Sequence, residues 1–335
     1  VLSAPSQPAK TNLLNTPPSG VGISPEVSMT PTQPADGFWQ RFHRMDEGRF
    51  GLLLLLPTLL LVLVFLALPI LYALYMSLHQ IELTISPQWK FVGLANYAGL
   101  VTEGRVIETV PRTLYFAGLN VAVTTLLSLC LALVLNEQFV GRNWVRVLIL
   151  LPWAVAPVVS GVMWRYLFHQ SYGLINALLK QLGWIDRYVV WFEDPTFALS
   201  IASFATAWKA LPFSTLILLA SMQSISESLF RAAKMDGADV FHRFRYVTLP
   251  HLRPTLVFVV VLQIISSLQA FDIIFTLTRG GPGQGTVVLN YLTFVNAFER
   301  LSIGNAASLA VLLALLIMLL SALSIYLAQE RRKRE

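Results

Sequence analysis

The chain has 335 residues, 55% of them hydrophobic and 13% charged, with a net charge of +6 and a mean hydropathy of +0.63. An ordinary soluble domain carries roughly 25% charged residues, so this composition excludes a soluble globular protein and points to one that lives in a bilayer. The single cysteine, Cys130, excludes an internal disulfide and a multi-cysteine metal site, and basic residues scattered between apolar blocks argue against a nucleic-acid partner.

Residues 1–37 are rich in Pro, Ser, Thr and Gly and too poor in large apolar clusters to fold alone, which predicts a disordered cytoplasmic tail. They contain no apolar core of a signal peptide, and the first long apolar run is too long to be one. Residues 38–50, with Trp39 to Arg49 at their centre, read as an amphipathic approach to the membrane. A membrane-spanning helix needs about 20 mainly apolar residues. Six stretches qualify: Gly51 to Leu78, Thr113 to Asn136, Val147 to Trp164, Phe197 to about Met222, Thr255 to about Leu277, and Ile303 to about Ala328. These are continuous apolar blocks without the alternation of β-barrel strands. The expected fold is therefore an all-α polytopic membrane protein with six transmembrane helices over residues 51–329 and a basic cytoplasmic C-terminus at 330–335.

The side of each loop follows from the placement of Lys and Arg. With the N-terminus inside, the inner segments hold fifteen of the 24 basic residues and the outer segments eight, leaving Lys209 within the fourth span. Both termini and the loop at about 224–250 are then expected on the cytoplasmic face.

That loop, between spans four and five, carries "RAAKMDGADVFHRFRYVTLP", Arg231 to Pro250. Ser224 and Glu227 fit an S-x-x-E capping box, so a helix is expected from Ser224 to about Met235. Gly237 supplies a left-handed helix end, Asp239 caps a second helix, and Pro250 with Pro254 is expected to bend the chain into span five. A loop that only fixes orientation needs charge alone. This one also offers Leu229, Ala232, Ala233, Val240 and Phe241 around a Gly turn, the composition of a docking surface.

The stretch resembles the EAA signature of the membrane subunits of bacterial ATP-binding-cassette (ABC) importers: Ala232, Ala233, Gly237, Leu249 and Pro250 match, while Arg231 stands at the Glu position. "FDIIFTLTRGGPGQGT", Phe271 to Thr286, resembles the T-x-G-G-P turn that follows the fifth core span in MalF-like carbohydrate permeases, through Thr278, Gly280, Gly281 and Pro282, and "HQSYGLINALL" at His169 to Leu179 approximates a third family element. The resemblance covers about Arg49 to Gln329. It implies the type I ABC importer permease fold, with a coupling helix formed by Arg231, Ala232, Ala233, Asp236, Gly237, Ala238, Phe241, Leu249 and Pro250. It also implies as partners a MalG-like second permease, two copies of an ABC ATPase and an extracytoplasmic solute-binding protein, in a bacterial plasma membrane. No G-x-x-x-x-G-K-[ST] motif occurs, so ATP and Mg would be bound by the ATPase, with no cofactor, metal or catalytic residue in this chain.

On span five, Gln263, Ser266, Ser267 and Ala270 share one helical face, which polar groups turn toward a cavity or toward neighbouring helices, while Gln269 lies off that face and is expected to pack. In span four, "WKALPF" offers Phe213 as a flat ring beside Pro212. The resemblance implies that Ala210, Phe213, Gln263, Ser266, Ser267 and Ala270 line a sugar cavity. Lys209 is expected to snorkel or pack rather than to meet substrate. The alternatives are an ABC permease for a charged solute such as a glycerophosphodiester or a polyamine, and a stand-alone secondary transporter, for which Lys209 and Asp272 are the only candidate intramembrane charges.

Overall fold

A computed structural model describes residues 47–84 and 86–333, with side chains over 51–84 and 89–330. The tail expected at 1–37, most of the approach segment at 38–50 and the last two residues of the basic terminus lie outside the described residues. The chain divides into two units at Val62 and Leu63.

In the first unit the described part is one helix, α1 (Glu47–Val62), in which every described apolar side chain after Gly51 is exposed. The second unit begins with a π-turn at Leu63–Ala67 and helix α2 (Leu68–Ser77). It continues through α3 (Ala95–Thr102), α4 (Arg105–Asn136), α5 (Arg142–Ala154), α6 (Pro157–Leu167), α7 (Leu174–Gln181) and α8 (Pro195–Gln223). It ends with α9 (Glu227–Met235), α10 (Val240–Arg243), α11 (Leu249–Leu268), α12 (Asp272–Leu277), α13 (Leu289–Phe294) and α14 (Ile303–Lys333).

Five of the six expected spans are long apolar helices: Gly51–Ser77, Arg105–Asn136, Pro195–Gln223, Val240–Leu268 and Ile303–Glu330. The third is corrected. It is a pair of helices, α5 and α6, bent by 100°. Pro157 drives Ala156 out of helical conformation, to ψ 141°, and Val155 is extended as well, so the α5 register ends two residues before α6 begins. The fifth is also corrected, because its helix stops at Leu268 and Asp272–Leu277 is a separate short helix.

The chain stays helical through Pro250 and Pro254, where it was expected to bend. The helix runs from Val240 to Leu268, with a π-turn at Phe244–Thr248 just before Leu249 and Pro250. A proline ring clashes with the carbonyl four residues back and offers no N–H; the wider π-turn provides local slack for both defects. The same order, a π-turn followed by Leu-Pro, recurs at Leu63–Pro69. A two-stranded antiparallel hairpin, β1 (His79–Glu82) with β2 (Ser86–Phe91), follows span one and departs from an all-α chain. Asn96 of α3 secures its base by donating to the carbonyls of Ser77 and His79 at 2.8 and 2.9 Å.

The core is the contact of α4 with α8. Buried Thr113, Ala117, Asn120, Thr124, Ser128 and Ala132 repeat every three or four residues along α4, and Ala198, Ala202 and Ala205 face inward from α8. In lipid, small residues replace the hydrophobic effect by letting two backbones approach. Asn120 then donates to the Ser203 carbonyl at 3.2 Å, and the Ser203 hydroxyl returns a bond to the Phe116 carbonyl, also at 3.2 Å. The short helix α12 and helices α13 and α14 close one end of this core through Ile274, Leu277, Val288, Leu289 and Leu309.

Between α6 and α8 the chain is tied by one fully buried amide. Asn176 donates to the carbonyls of Gln170 and Val189, and its Oδ1 accepts from the Val189 N–H and from Trp191 Nε1 at 3.0 Å. Removing it orphans several groups at once, each costing about 1–3 kcal/mol. We expect Asn176→Ala to lower the melting temperature measurably and to speed tryptic cleavage after Arg187, both read on purified protein.

Candidate functional site

Two sites emerge from this frame. The first is a cavity of about 460 Å³ walled by α5, α6, α8, α11 and the segment leading into α12. Five of the six residues expected there line it: Ala210 and Phe213 from α8, Gln263 and Ser266 from α11, and Ala270 from the break after it. Ser267 does not. It is buried, and its hydroxyl donates within its own helix to the Gln263 carbonyl at 2.6 Å, because a serine in a helix can satisfy itself on the preceding turn.

Gln263 is also mostly turned away from open space. It is 4% exposed and donates from Nε2 to Ser214 Oγ at 2.9 Å, clasping α11 to α8. The side chains open to the cavity are instead Phe213, half-exposed, Trp153 at the end of α5, Ser266 and Gln269. Gln269, expected to pack, is exposed into it. The helix ends at Leu268, so the 100°-per-residue projection that placed Gln269 off the face no longer applies beyond that point. Trp153, Ser160, Thr206, Phe271 and Asp272 also line the cavity and were missed; of these, only the intramembrane position of Asp272 was a signal in the sequence.

Lys209 packs, as expected, and its side chain also borders the cavity. Its Nζ donates to the Val155 carbonyl at 2.7 Å, and the same side chain forms part of the cavity wall. Val155 is the residue that closes α5, so the ammonium meets the negative end of that helix, where the carbonyl has no partner in the helix. The second break is treated alike: the Gln269 carbonyl, at the end of α11, accepts from Asn290 Nδ2 at 2.6 Å. Gly161 brings α6 against α12, since a Cβ there would collide with the Thr276 side chain.

The second site is the loop from α8 to α11. Its first helix starts at Ser226, not Ser224. Ser226 is extended and its Oγ accepts from the Ser228 N–H at 3.3 Å, whereas Ser224, still helical in conformation, caps the C-terminus of α8 and donates to the Ser221 carbonyl at 2.8 Å. Gly237 adopts φ +77°, and the N–H groups of Gly237 and Ala238 return to the Lys234 and Ala233 carbonyls. Arg231, Ala232, Asp236, Gly237 and Phe241 are exposed, Met235 and Val240 strongly so; Ala233, Ala238, Leu249 and Pro250 are half-buried beneath them. Two short helices around a left-handed turn thus present an apolar ridge with basic flanks.

Asp239 caps α10. Its Oδ1 accepts from the His242 N–H at 2.7 Å and from the His242 ring at 2.9 Å. The backbone bond from His242, then the side-chain bond, hold the carboxyl below its ordinary value. A lowered pKa makes the cap complete above the ordinary carboxylate pKa of about 3.9, and it is lost only as pH falls through the lower folded value. Amide exchange should therefore show the His242 N–H equally protected from pH 8 to about pH 4, and Asp239→Ala should remove that protection throughout.

The comparisons with known proteins agree with this architecture. The family described as "Binding-protein-dependent transport system inner membrane component" matches residues 124–335. The trehalose/maltose transport system permease protein MalF of Thermococcus litoralis is 38% identical over 289 residues, covering 86% of this chain and 96% of that protein. The sulfoquinovosyl glycerol transport system permease protein SmoG of Agrobacterium fabrum is 32% identical over 295 residues, 88% of this chain and 94% of that one. A solved bacterial ABC transporter that imports the acidic polysaccharide alginate has a chain that superposes with a TM-score of 0.73 at 21% identity, covering 87% of this chain and 98% of its own, and this shows the type I permease fold. Helices broken around a polar cavity, a two-helix loop and these matches together make the chain a multi-pass membrane permease subunit of the family of binding-protein-dependent transport system inner membrane components.

Proposed function

We propose that this permease subunit forms half of the pathway of an ATP-driven sugar importer, and that its Arg231 to Pro250 loop is the element a separate ATPase moves. The observation that carries the sugar reading is the cavity, which sets the exposed ring faces of Phe213 and Trp153 beside the polar ends of Ser266 and Gln269. A sugar ring has apolar faces that stack on aromatics and hydroxyls that pair with amides, so this pairing suits a mono- or oligosaccharide. The relative named for trehalose and maltose supports the same cargo class. Ala210 and Ala270 add shape without hydrogen bonds, which leaves the set of donors different from one rich in amides.

In this reading a MalG-like second permease completes the pathway, two copies of the ATPase bind ATP and Mg and receive the loop, and an extracytoplasmic binding protein delivers the sugar. The loop and both termini face the cytoplasm of a bacterial cell, as the distribution of Lys and Arg supports. Closure of the ATPase pair shifts α9 and α10, and the helix that runs without interruption from Val240 to Leu268 carries the motion to Gln263 and Ser266. Transport is then alternating access between two states of the cavity.

Three tests follow. ATPase activity of the complete importer in liposomes, with its binding protein, should rise with a saccharide and stay flat with polyamines or phosphodiesters; stimulation by a charged solute alone would discard the sugar reading. Phe213→Ala should raise the KM for uptake by about 2–12-fold, the worth of one aromatic contact of about 0.5–1.5 kcal/mol, with normal assembly. Gly237→Val forces a β-branched residue into a left-handed turn, and should abolish uptake while the protein stays in the membrane; wild-type uptake would refute the loop's coupling role.

A further inference from the structure

Two ionisable side chains line the cavity, and their environments differ. The Lys209 ammonium is held at 2.7 Å by the Val155 carbonyl, the negative end of α5, which offsets part of its field. Asp272 opens α12, half-buried, with its backbone carbonyl accepting from Thr276 Oγ1 at 2.7 Å. Its carboxylate has no hydrogen bond or ion pair among the described residues. Gln269 and Phe271, directly before it, line the same space.

A half-buried carboxylate on the wall of such a cavity, with no partner in the protein, is unfavourable unless water or a ligand meets it. Its two oxygens offer about four acceptor sites and no donor, so the ligand group it suits is a hydroxyl, and two adjacent hydroxyls suit it best. A ligand carboxylate, phosphate or sulfonate brought to the same place would meet like charge in a medium that screens poorly.

We propose that Asp272 is a specificity-determining residue of this permease: it accepts hydroxyls of a neutral polyhydroxylated solute and turns away anionic ones. The inference rests on the reading of this cavity as the sugar path. It places selection on the permease itself, in addition to whatever selection a binding protein makes before delivery.

The test uses the purified importer of full-length subunits without binding protein, so that only the permease selects. It is titrated calorimetrically with trehalose, maltose, cellobiose and raffinose, and with glucuronate and sn-glycerol 3-phosphate. At least one saccharide should bind the wild type while neither anion does. Asp272→Ala should weaken that saccharide at least 10-fold, and Asp272→Asn, which keeps the shape and one acceptor, should weaken it less and admit an anion. If Asp272→Ala fails to assemble, the Asn variant carries the test. Equal saccharide affinity in wild type and variants, or an anion bound by the wild type as tightly as the sugar, overturns the role of Asp272 and leaves the sugar reading intact. No saccharide binding to the wild type, with Phe213→Ala also without effect on uptake, overturns both.

Discussion

A backbone immersed in lipid has to satisfy its own polar groups, because no water is present to do so. Most of this chain meets that demand by remaining helical. Where it does not, at Val155 to Pro157 and again at Gln269 to Phe271, a carbonyl is released and a side chain from another element takes it: Lys209 in the first case, Asn290 in the second. Both breaks lie on the wall of one cavity, and non-helical backbone inside a membrane is tolerated only where it borders protein or a polar space. The candidate site is therefore located by the helix breaks as much as by the side chains that decorate it.

The rest of the molecule supports those breaks. The small-residue seam between α4 and α8 brings two long helices together closely enough for Asn120 and Ser203 to exchange bonds with the facing backbone. That rigid pair holds Ala210 and Phe213 in place, and Gln263 is clasped to Ser214 of the same helix, so α11 moves against a fixed wall only by breaking a buried bond. The loop at the other end is built differently. Its surface is exposed, its turn is held by local backbone bonds at Gly237 and its second helix by the Asp239 cap. A surface of that kind is preformed but incomplete, which suits an element that docks on a partner and transmits a displacement.

The π-turn before Leu249 and Pro250 links the two sites. Prolines that would otherwise separate the loop from span five are absorbed into one helix of 29 residues. Val240 is therefore joined to the cavity at Gln263 by continuous helical backbone.

Much of this was legible in the residues alone. Apolar blocks of about 20 residues located five spans because burial in lipid depends on composition over a window, and Gly237 and Asp239 identified their turn and cap because both effects are local. The shared face of Gln263 and Ser266 was readable for the same reason: helical periodicity projects side chains as long as the helix lasts, whereas Ala270 reaches the cavity from the break beyond Leu268. What the sequence could not specify was where the helices stop. The third span became two helices at 100°, the fifth ended at Leu268, and Gln269 and Asp272 turned into the cavity, because a break at that depth is stable only if a distant side chain catches the freed carbonyl. Ser267 was placed on that face by the same periodicity and in the cavity by the family resemblance; it is buried, with its hydroxyl bonded to its own helix. Local propensity and hydropathy determined the elements; the long-range pairing of Lys209 with Val155 and Asn290 with Gln269, which no window of sequence contains, decided how they enclose a site.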